Sequence, residues 1–288
     1  MKANTDAVVS IQDLHHCYGS KKIYQGLSVE VEKGSVFGLL GKNGVGKSTL
    51  INILMGYLRP KKGDCLVFGE PSHNLSPDTR RRIALLYEGF VSYDAMRICD
   101  VEPFFAVFYP AWKKSVFYDL VSLMDVKLTQ KLSTLSFGQK SQVILGLVFA
   151  QDADLLILDD YSMGLDAGYR RLFIDYLKNY LHGTKKTVLI TSHIMGELET
   201  LVNHIVILDR KMPVYQGPME SFCHDFKCYA APSPVPETPG ILRTETLPGE
   251  TRLYSFLAGE SLERILSMPL KPVALSFEEK FLGYVGKY

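Results

Sequence analysis

Residues 41–49 form a glycine-rich segment whose residue types suit the binding of a phosphate group. The segment reads Gly41-Lys42-Asn43-Gly44-Val45-Gly46-Lys47-Ser48-Thr49, which fits the phosphate-loop pattern G-x-x-x-x-G-K-[ST]. Glycines allow a tight turn and let backbone N–H groups approach an anion. Lys47 supplies positive charge for terminal phosphates, and Ser48 supplies a hydroxyl for Mg²⁺, which prefers oxygen ligands. The segment therefore predicts a site for nucleotide phosphates.

The stretches on either side of this loop are those that a phosphate loop requires. Residues 36–40 are a short apolar run typical of a buried strand. After the loop, apolar residues recur on one helical face until Pro60 ends the helix; they are Leu50, Ile53, Leu54, Tyr57 and Leu58. A helix that begins at the loop directs its positive dipole end at the bound anion. An accidental glycine-rich turn would not explain this order.

Acidic and hydroxyl side chains follow two further predicted strands. Asp159 and Asp160 come directly after the apolar run 155–158, and Ser192 and His193 follow the strand predicted at 187–191. Alternating strands and helices in this part of the chain predict a parallel sheet, in which ligands bind at the carboxyl ends of the strands. Tyr18 lies in a turn between earlier, antiparallel strands. Its ring suits stacking on a base, or else packing at the end of a hairpin.

Composition limits the class of protein. The chain has 288 residues, 47% of them hydrophobic, with a formal net charge of +1, which predicts one large or two modest domains. A nearly neutral charge argues against a nucleic-acid partner. Five cysteines without a C-x-x-C pair favour a reducing compartment. We see no signal peptide and no apolar run of membrane-spanning length, which predicts a soluble chain.

The order of these motifs resembles the nucleotide-binding subunits of ATP-binding-cassette (ABC) transporters. The loop at 41–48 comes first, followed by Glu88 after a strand, the segment 135–139, the pair at 159–160, the segment 164–166 and His193. The segment Leu135-Ser136-Phe137-Gly138-Gln139 carries the most weight, because other phosphate-loop families lack such a signature. The resemblance covers roughly residues 7–218.

The resemblance implies an α/β fold with the phosphate-loop NTPase core of ABC ATPases. This core has a mixed, largely parallel sheet, an antiparallel β subdomain and a helical subdomain. We expect residues 1–226 to form the nucleotide-binding domain, with the helical subdomain at about 89–150. Prolines cluster after Lys227 and indicate a connection. Residues 227–288 are then expected to form a small α+β accessory unit, with a strand pair at 241–246 and 252–257 and helices at about 260–268 and 277–285.

The resemblance also implies roles for individual residues. Tyr18 would stack on adenine, residues 41–49 would hold the phosphates of ATP, and Mg²⁺ would be held by Ser48, Asp159 and Glu88. The catalytic candidates are Asp160, which would polarise the attacking water, His193, which would contact the γ-phosphate, and Glu88. Two subunits would pack head to tail, so that the signature residues of one cap the ATP of the other, with Asp166 at the interface. These signature residues are Ser136, Gly138 and Gln139.

ATP and Mg²⁺ are thus the implied cofactors, and ATP hydrolysis coupled to transport is the implied activity. The implied partners are a second nucleotide-binding subunit, identical or different, and an integral membrane permease subunit that docks near the aromatic section before Trp112. No nucleic-acid partner is expected. The chain would lie on the cytoplasmic side of the cell membrane as a peripheral subunit, and export is favoured over import.

Four positions depart from the family pattern. Asp160 stands where a glutamate is usual, which sets its carboxylate back by about 1.5 Å, and errors of that size can cost about 100-fold in rate. Glu88 stands where glutamine is common, Phe137 replaces a glycine, and Tyr161 replaces a proline. An ATP-gated clamp that barely hydrolyses ATP is therefore a second hypothesis.

A soluble ABC protein of translation or DNA repair is a third hypothesis. Translation members usually have two cassettes in one chain and repair members have a long coiled-coil insertion, and we see neither pattern in this sequence. A small-molecule kinase would leave residues 135–139 unexplained.

Overall fold

The structure, a computed structural model, describes residues 7–87, 93–162, 165–192, 194–210 and 214–286. In chain order its strands are β1 (Ala7–Tyr18), β2 (Lys21–Glu32), β3 (Val36–Gly41), β4 (Lys62–Val67), β5 (Glu70–Pro71), β6 (Ile83–Leu86), β7 (Leu155–Leu158), β8 (Thr187–Ile190), β9 (His204–Leu208), β10 (Tyr215–Pro218), β11 (Lys227–Ala231), β12 (Ile241–Leu247), β13 (Glu250–Ser255) and β14 (Lys271–Val273). Its α-helices are α1 (Lys47–Leu54), α2 (Pro77–Arg81), α3 (Ile98–Ala106), α4 (Lys114–Ser122), α5 (Phe137–Ala150), α6 (Ala167–Leu181), α7 (Met195–Glu199), α8 (Met219–Asp225), α9 (Gly259–Leu266) and α10 (Phe277–Val285).

A six-stranded sheet in the order β10-β9-β3-β8-β7-β6 forms the centre of the fold. Neighbouring strands are parallel, except that β10 pairs antiparallel with β9. Every residue of β7 and β8 is buried, as expected for strands covered on both faces. The carboxyl ends of β3, β7 and β8 therefore meet at one edge, where the phosphate loop begins.

An antiparallel sheet in the order β2-β1-β4-β5 packs beside the first helix. Buried residues of β1 share a hydrophobic cluster with α1 and with the central sheet; examples are Val9, Ile53 and Leu39. The turn between β1 and β2 carries Tyr18 at its start. This sheet matches the antiparallel strands that the sequence predicts before the loop.

Helices α3, α4 and α5 pack around a separate cluster that includes Val101, Phe117 and Leu147. Glu102 is buried within this unit, and Trp112 Nε1 donates a 2.8 Å hydrogen bond to its Oε1. Two aromatic side chains of this helical unit are exposed to solvent, Phe104 by 48% and Phe108 by 56%. Among the residues that the structure describes, no helix is both long and apolar enough to cross a bilayer.

The C-terminal strands form an antiparallel sheet in the order β12-β13-β11-β14. The sequence predicts the pair β12 and β13 and the helices α9 and α10, but it misses β11 and β14. Helix α10 packs against α7, and its Phe277, Phe281 and Tyr284 belong to the same cluster as Leu198. The domain boundary at residue 226 stays a prediction.

Candidate nucleotide site

A cavity of about 390 Å³ opens where the phosphate loop meets the carboxyl ends of β7 and β8. Residues from four separated parts of the chain line it. They are Tyr18, Lys21, Ile23, Asn43, Gly44, Gly46, Lys47, Ser48, Thr49, Asp159, Asp160 and Thr191. The structure thus brings Tyr18, the loop and both aspartates to one cavity, and it adds Lys21, Ile23 and Thr191, which belong to none of the predicted motifs. Tyr18 is 49% exposed there, so part of its ring is accessible for stacking.

Strand β2 braces the phosphate loop at Gly46. This residue has a φ of 127°, and a Cβ in its place would lie 2.7 Å from Ile23 Cγ2 and from the Tyr24 hydroxyl. Only glycine therefore fits here without displacement. Tyr24 donates a hydrogen bond to the Gly46 carbonyl, and burial raises the pKa of Tyr24, which keeps it a neutral donor.

Lys47 lies over the loop that precedes it. Its Nζ donates to the carbonyl of Gly41 at 2.7 Å and to that of Lys42 at 3.3 Å. Arg210, which follows β9, donates to the Gly44 carbonyl. Two cationic side chains therefore hold carbonyl groups of the loop. Arg210 belongs to no motif, and its position 166 residues after Gly44 gives no signal in the sequence.

Gly41, Lys42 and Val45 hold the loop in place rather than line the cavity. Gly41 is the last residue of β3, and the carbonyl of Lys42 accepts a 3.2 Å hydrogen bond from Val45 N. Val45 is buried and packs in the cluster below α1. These three residues therefore contribute to the site by setting the curvature of the loop backbone.

Asp159 is 2% exposed at the end of β7. Its Oδ1 accepts a 2.8 Å hydrogen bond from Thr191 Oγ1, whereas its Oδ2 is buried with no partner among the described groups. Burial raises the pKa of Asp159, helped by the charge of Asp160 and opposed by the hydroxyls of Thr191 and Ser48 and by Lys47. An unpaired buried carboxylate oxygen is costly, so the position fits a cation. Asp159 Oδ2 and the Ser48 hydroxyl, which line the same cavity, are oxygen groups that could hold Mg²⁺.

Asp160 has a left-handed backbone, with a φ of 45°. Aspartate adopts this region more readily than most residues, because its short polar side chain can bond locally. Ser162 Oγ donates to Asp160 Oδ1 at 3.2 Å and lies 3.3 Å from Ser192 Oγ. The Ser162 hydroxyl thus orients the Asp160 carboxylate, which lines the cavity.

The signature residues form a second group that does not line this cavity. Ser136 caps α5, since its Oγ accepts from Gln139 N at 3.2 Å and Gln139 Oε1 accepts from Ser136 N at 2.9 Å. Asp166 caps α6 by accepting from Tyr169 N at 3.0 Å. The ring of Tyr169 packs against Gly138. Two helix N-termini are therefore held together, with Ser136 and Phe137 exposed.

Tyr161 joins this region to the helix after β8. Its hydroxyl donates to Glu197 Oε2 at 2.6 Å, and burial together with this contact raises the pKa of Tyr161. Arg170 Nε lies 3.2 Å from Glu197 Oε1, and its Nη1 donates to the Leu165 carbonyl. Tyr161, in the place of a usual proline, thus anchors α6 and α7 to the end of β7.

Three residues of the predicted motifs, Glu88, Gly164 and His193, lie outside the described residues.

Comparison with known proteins agrees with the order of motifs. Residues 24–162 match the protein family described as ABC transporter. The Nod factor export ATP-binding protein I of Cupriavidus metallidurans is 29% identical over 225 residues, covering 73% of this chain and 71% of that protein. The protein of the same name from Paraburkholderia xenovorans is 28% identical over 276 residues, covering 89% and 85%.

A solved structure described as an ATP-binding subunit of an ABC transporter has the same fold. It superposes with a TM-score of 0.67 at 21% identity, covering 75% of this chain and 92% of that chain. The fold class predicted from the sequence is confirmed.

Proposed function

We propose that this chain, whose residues 24–162 match the ABC transporter family, is an ATPase that works as a head-to-tail dimer and powers a separate membrane subunit. We favour export as the direction, because the relatives are named as export proteins. Its place would be peripheral, on the cytoplasmic face of the membrane that holds its partner.

The observation that carries the dimer proposal is the location of the signature residues. Ser136, Gly138 and Gln139 are absent from the described lining of the cavity that holds Lys47 and Asp159. Ser136 nevertheless stands exposed at the N-terminus of a 14-residue helix, where backbone amides and the dipole favour an anion. Its Oγ accepts the capping bond, so its proton remains able to bond a phosphate oxygen. Such a group is suited to the ATP of a second copy.

Within one site, each residue has a task that its contacts support. The loop amides bind the phosphates, and Lys47 exchanges its bonds to loop carbonyls for bonds to phosphate oxygens. Mg²⁺, when bound, neutralises phosphate charge. Asp160 accepts the proton of the water that attacks the terminal phosphorus, while the bond from that phosphorus to the ADP oxygen breaks.

A groove of about 620 Å³ lies between the central sheet and the unit of helices α3 to α5. This groove supports the proposal of a permease partner. Its lining is largely aromatic and aliphatic, including Tyr57, Tyr93, Phe105 and Tyr109. Tyr57 is 64% exposed, and Phe104 and Phe108 of α3 and the following turn are also exposed. An apolar groove with an aromatic border is suited to an amphipathic helix. We propose that a cytoplasmic helix of the membrane subunit occupies it.

The decisive experiment is Mg²⁺-dependent phosphate release by the purified chain over a range of protein concentrations, beside Asp160→Asn. Asparagine tolerates the left-handed backbone as aspartate does, so the variant removes the charge without straining the loop. Activity that rises more than linearly with concentration and falls at least 100-fold in the variant supports a homodimeric ATPase with Asp160 as its base. Activity strictly proportional to concentration would contradict the homodimer.

The ATP-gated clamp is the second candidate function, and the short Asp160 side chain favours it. This candidate predicts ATP binding with dimerisation but phosphate release that does not respond to Asp160→Asn. Light scattering of the chain with and without ATP, run beside the release assay, distinguishes the two functions.

A further inference from the structure

One hydroxyl group bonds both acidic residues at the end of β7. Thr191 follows β8 directly and is 1% exposed. Its Oγ1 accepts a hydrogen bond from Asp160 N and donates its proton to Asp159 Oδ1, and each distance is 2.8 Å. A hydroxyl has a single proton to donate, so this arrangement directs that proton to the Asp159 carboxylate.

The first of these bonds secures a strained backbone. The ladder between β7 and β8 ends at Leu158 and Ile190, so the amide of Asp160 lies beyond it and the Thr191 hydroxyl is its acceptor. The left-handed φ of Asp160 is uncommon even for aspartate, which adopts it more readily than most residues, and such conformations persist where surrounding contacts hold them. Thr191 supplies one of those contacts at the residue that faces the cavity.

The second bond fixes the rotation of the Asp159 carboxylate. Because Oδ1 is bonded to Thr191, the buried Oδ2 is the oxygen without a partner among the described groups. Asp159 lines the cavity together with Ser48. Thr191 thereby determines which oxygen of Asp159 is offered to a cation beside the Ser48 hydroxyl.

We infer that Thr191 is a positioning residue that sets both carboxylates for hydrolysis, one through its backbone and one through its side chain. The inference rests on the proposed function, in which Asp159 serves Mg²⁺ and Asp160 serves the attacking water. Thr191 acts through the two aspartates, since they engage its hydroxyl. Its removal should therefore slow the chemical step and leave the binding of ATP largely intact.

Thr187 provides a matched control on the same strand. It is fully buried, and its Oγ1 also accepts a hydrogen bond from a backbone amide, that of Gly34, at 3.0 Å. It lies four residues earlier, about 13 Å along the strand and on the same face. Thr187→Val therefore removes a comparable hydroxyl from the same sheet, far from the two aspartates.

The experiment compares Thr191→Val, Thr191→Ser and Thr187→Val by steady-state ATP hydrolysis. We expect Thr191→Val to lower kcat by about 10- to 100-fold while KM changes by less than about 3-fold. Thr191→Ser keeps the hydroxyl and should restore kcat to within about 3-fold of the wild type. Equal losses in Thr191→Val and Thr187→Val, or a loss in Thr191→Ser as large as in Thr191→Val, would overturn the inference.

A measurement without hydrolysis separates this inference from the proposed function. We expect Mg²⁺ to increase the affinity of the wild type and of Thr187→Val for ATP, and Thr191→Val to reach the same increase only at a higher Mg²⁺ concentration. Exchange of the Asp160 amide hydrogen should also be faster in Thr191→Val than in Thr191→Ser. If the wild type releases no phosphate, the proposed function fails, while unchanged Mg²⁺ dependence and amide exchange in Thr191→Val would refute the role of Thr191.

Discussion

The ring of Tyr169 lies against Gly138 so closely that a Cβ added to the glycine would come within 2.6 Å of the ring carbon Cδ2. The amide of the same tyrosine donates to Asp166, the capping residue of α6. The start of α5 and the start of α6 are therefore one packed unit.

Gly138→Ala should destabilise the protein by about 1 to 3 kcal/mol, because the new methyl group overpacks the contact with Tyr169. Urea unfolding measures this free energy. In the Tyr169→Ala background, Gly138→Ala should cost less free energy of unfolding, because the ring that it overpacks is absent. This double-mutant cycle measures the contact between the two residues. Gly196→Ala in α7 is the control, since its added Cβ meets no described atom within 4 Å apart from its chain neighbours and the backbone of its own helix. Equal unfolding midpoints for Gly138→Ala and Gly196→Ala would contradict the packing.

Lys47→Ala should weaken ATP binding by at least about tenfold, because a charge-assisted contact with phosphate is lost. A fluorescent ATP analogue titrated into the variant measures the dissociation constant. Lys42→Ala is the matched control in the same loop, since Lys42 contributes its backbone carbonyl to the contact with Lys47. If both variants bind equally well, the phosphate role of Lys47 is wrong.

Asp152 should make stability depend on pH. Burial alone would raise its pKa, but hydrogen bonds from Lys113 and Lys186 outweigh burial and lower the pKa below its ordinary value of 3.8. The two lysine nitrogens lie 2.8 and 2.7 Å from its oxygens. The native state therefore binds the proton less readily than the unfolded state, so this stabilisation is present above pH 3.8 and is lost as pH falls through the native pKa.

Asp152→Asn should accordingly lower the free energy of unfolding by about 1 to 3 kcal/mol at neutral pH, and the difference should shrink below pH 3.8. Denaturant unfolding at several pH values tests this. Asp154→Asn is the control, because its pair with Arg82 is about half exposed on both sides and such pairs contribute less than about 1 kcal/mol. A constant difference between wild type and Asp152→Asn across this pH range would count against the linkage.

Replacing Phe104 and Phe108 together by serine should disrupt the proposed docking of the membrane subunit. Both side chains are about half exposed, and each ring contacts the other at a centroid distance of 5.8 Å. We expect the double variant to bind ATP normally but to lose co-purification with the permease from detergent-solubilised membranes. Ile265→Ser, an equally exposed apolar residue on α9, should retain the permease. Retention by the double variant would place the docking surface elsewhere.

The sequence predicted the parts of the site that depend on local patterns. The phosphate loop follows from its own residue types, and the aspartates could be located because β7 is a continuous apolar run that ends at them. Tyr18 could be proposed for a similar reason, since it stands at a turn between two alternating strands. In each case the signal lies within about ten residues of the site residue.

Contacts between distant parts of the chain could not be predicted in this way. Thr191 bonds Asp159 from 32 residues away, and Tyr161 bonds Glu197 from 36 residues away. The order of strands in the sheet determines which distant residues come into contact. That order cannot be read from a single sequence. The same reason explains why β11 was missed, because it is short and its pairing with β13 and β14 is made across connections of more than ten residues.

Helix α10 has a consequence for any attempt to rebuild this protein. Its Phe277, Phe281 and Tyr284 fill the same cluster as Ile190, which ends the strand before Thr191, and Leu198 of α7. A shortened cassette that stopped at residue 226 would present this apolar surface to water and would aggregate. A hybrid with the C-terminal unit of a relative would need side chains that fit Leu198 and Phe222 in shape. Helix α10 therefore has to be kept, or replaced, together with the residues of the nucleotide-binding part that pack against it.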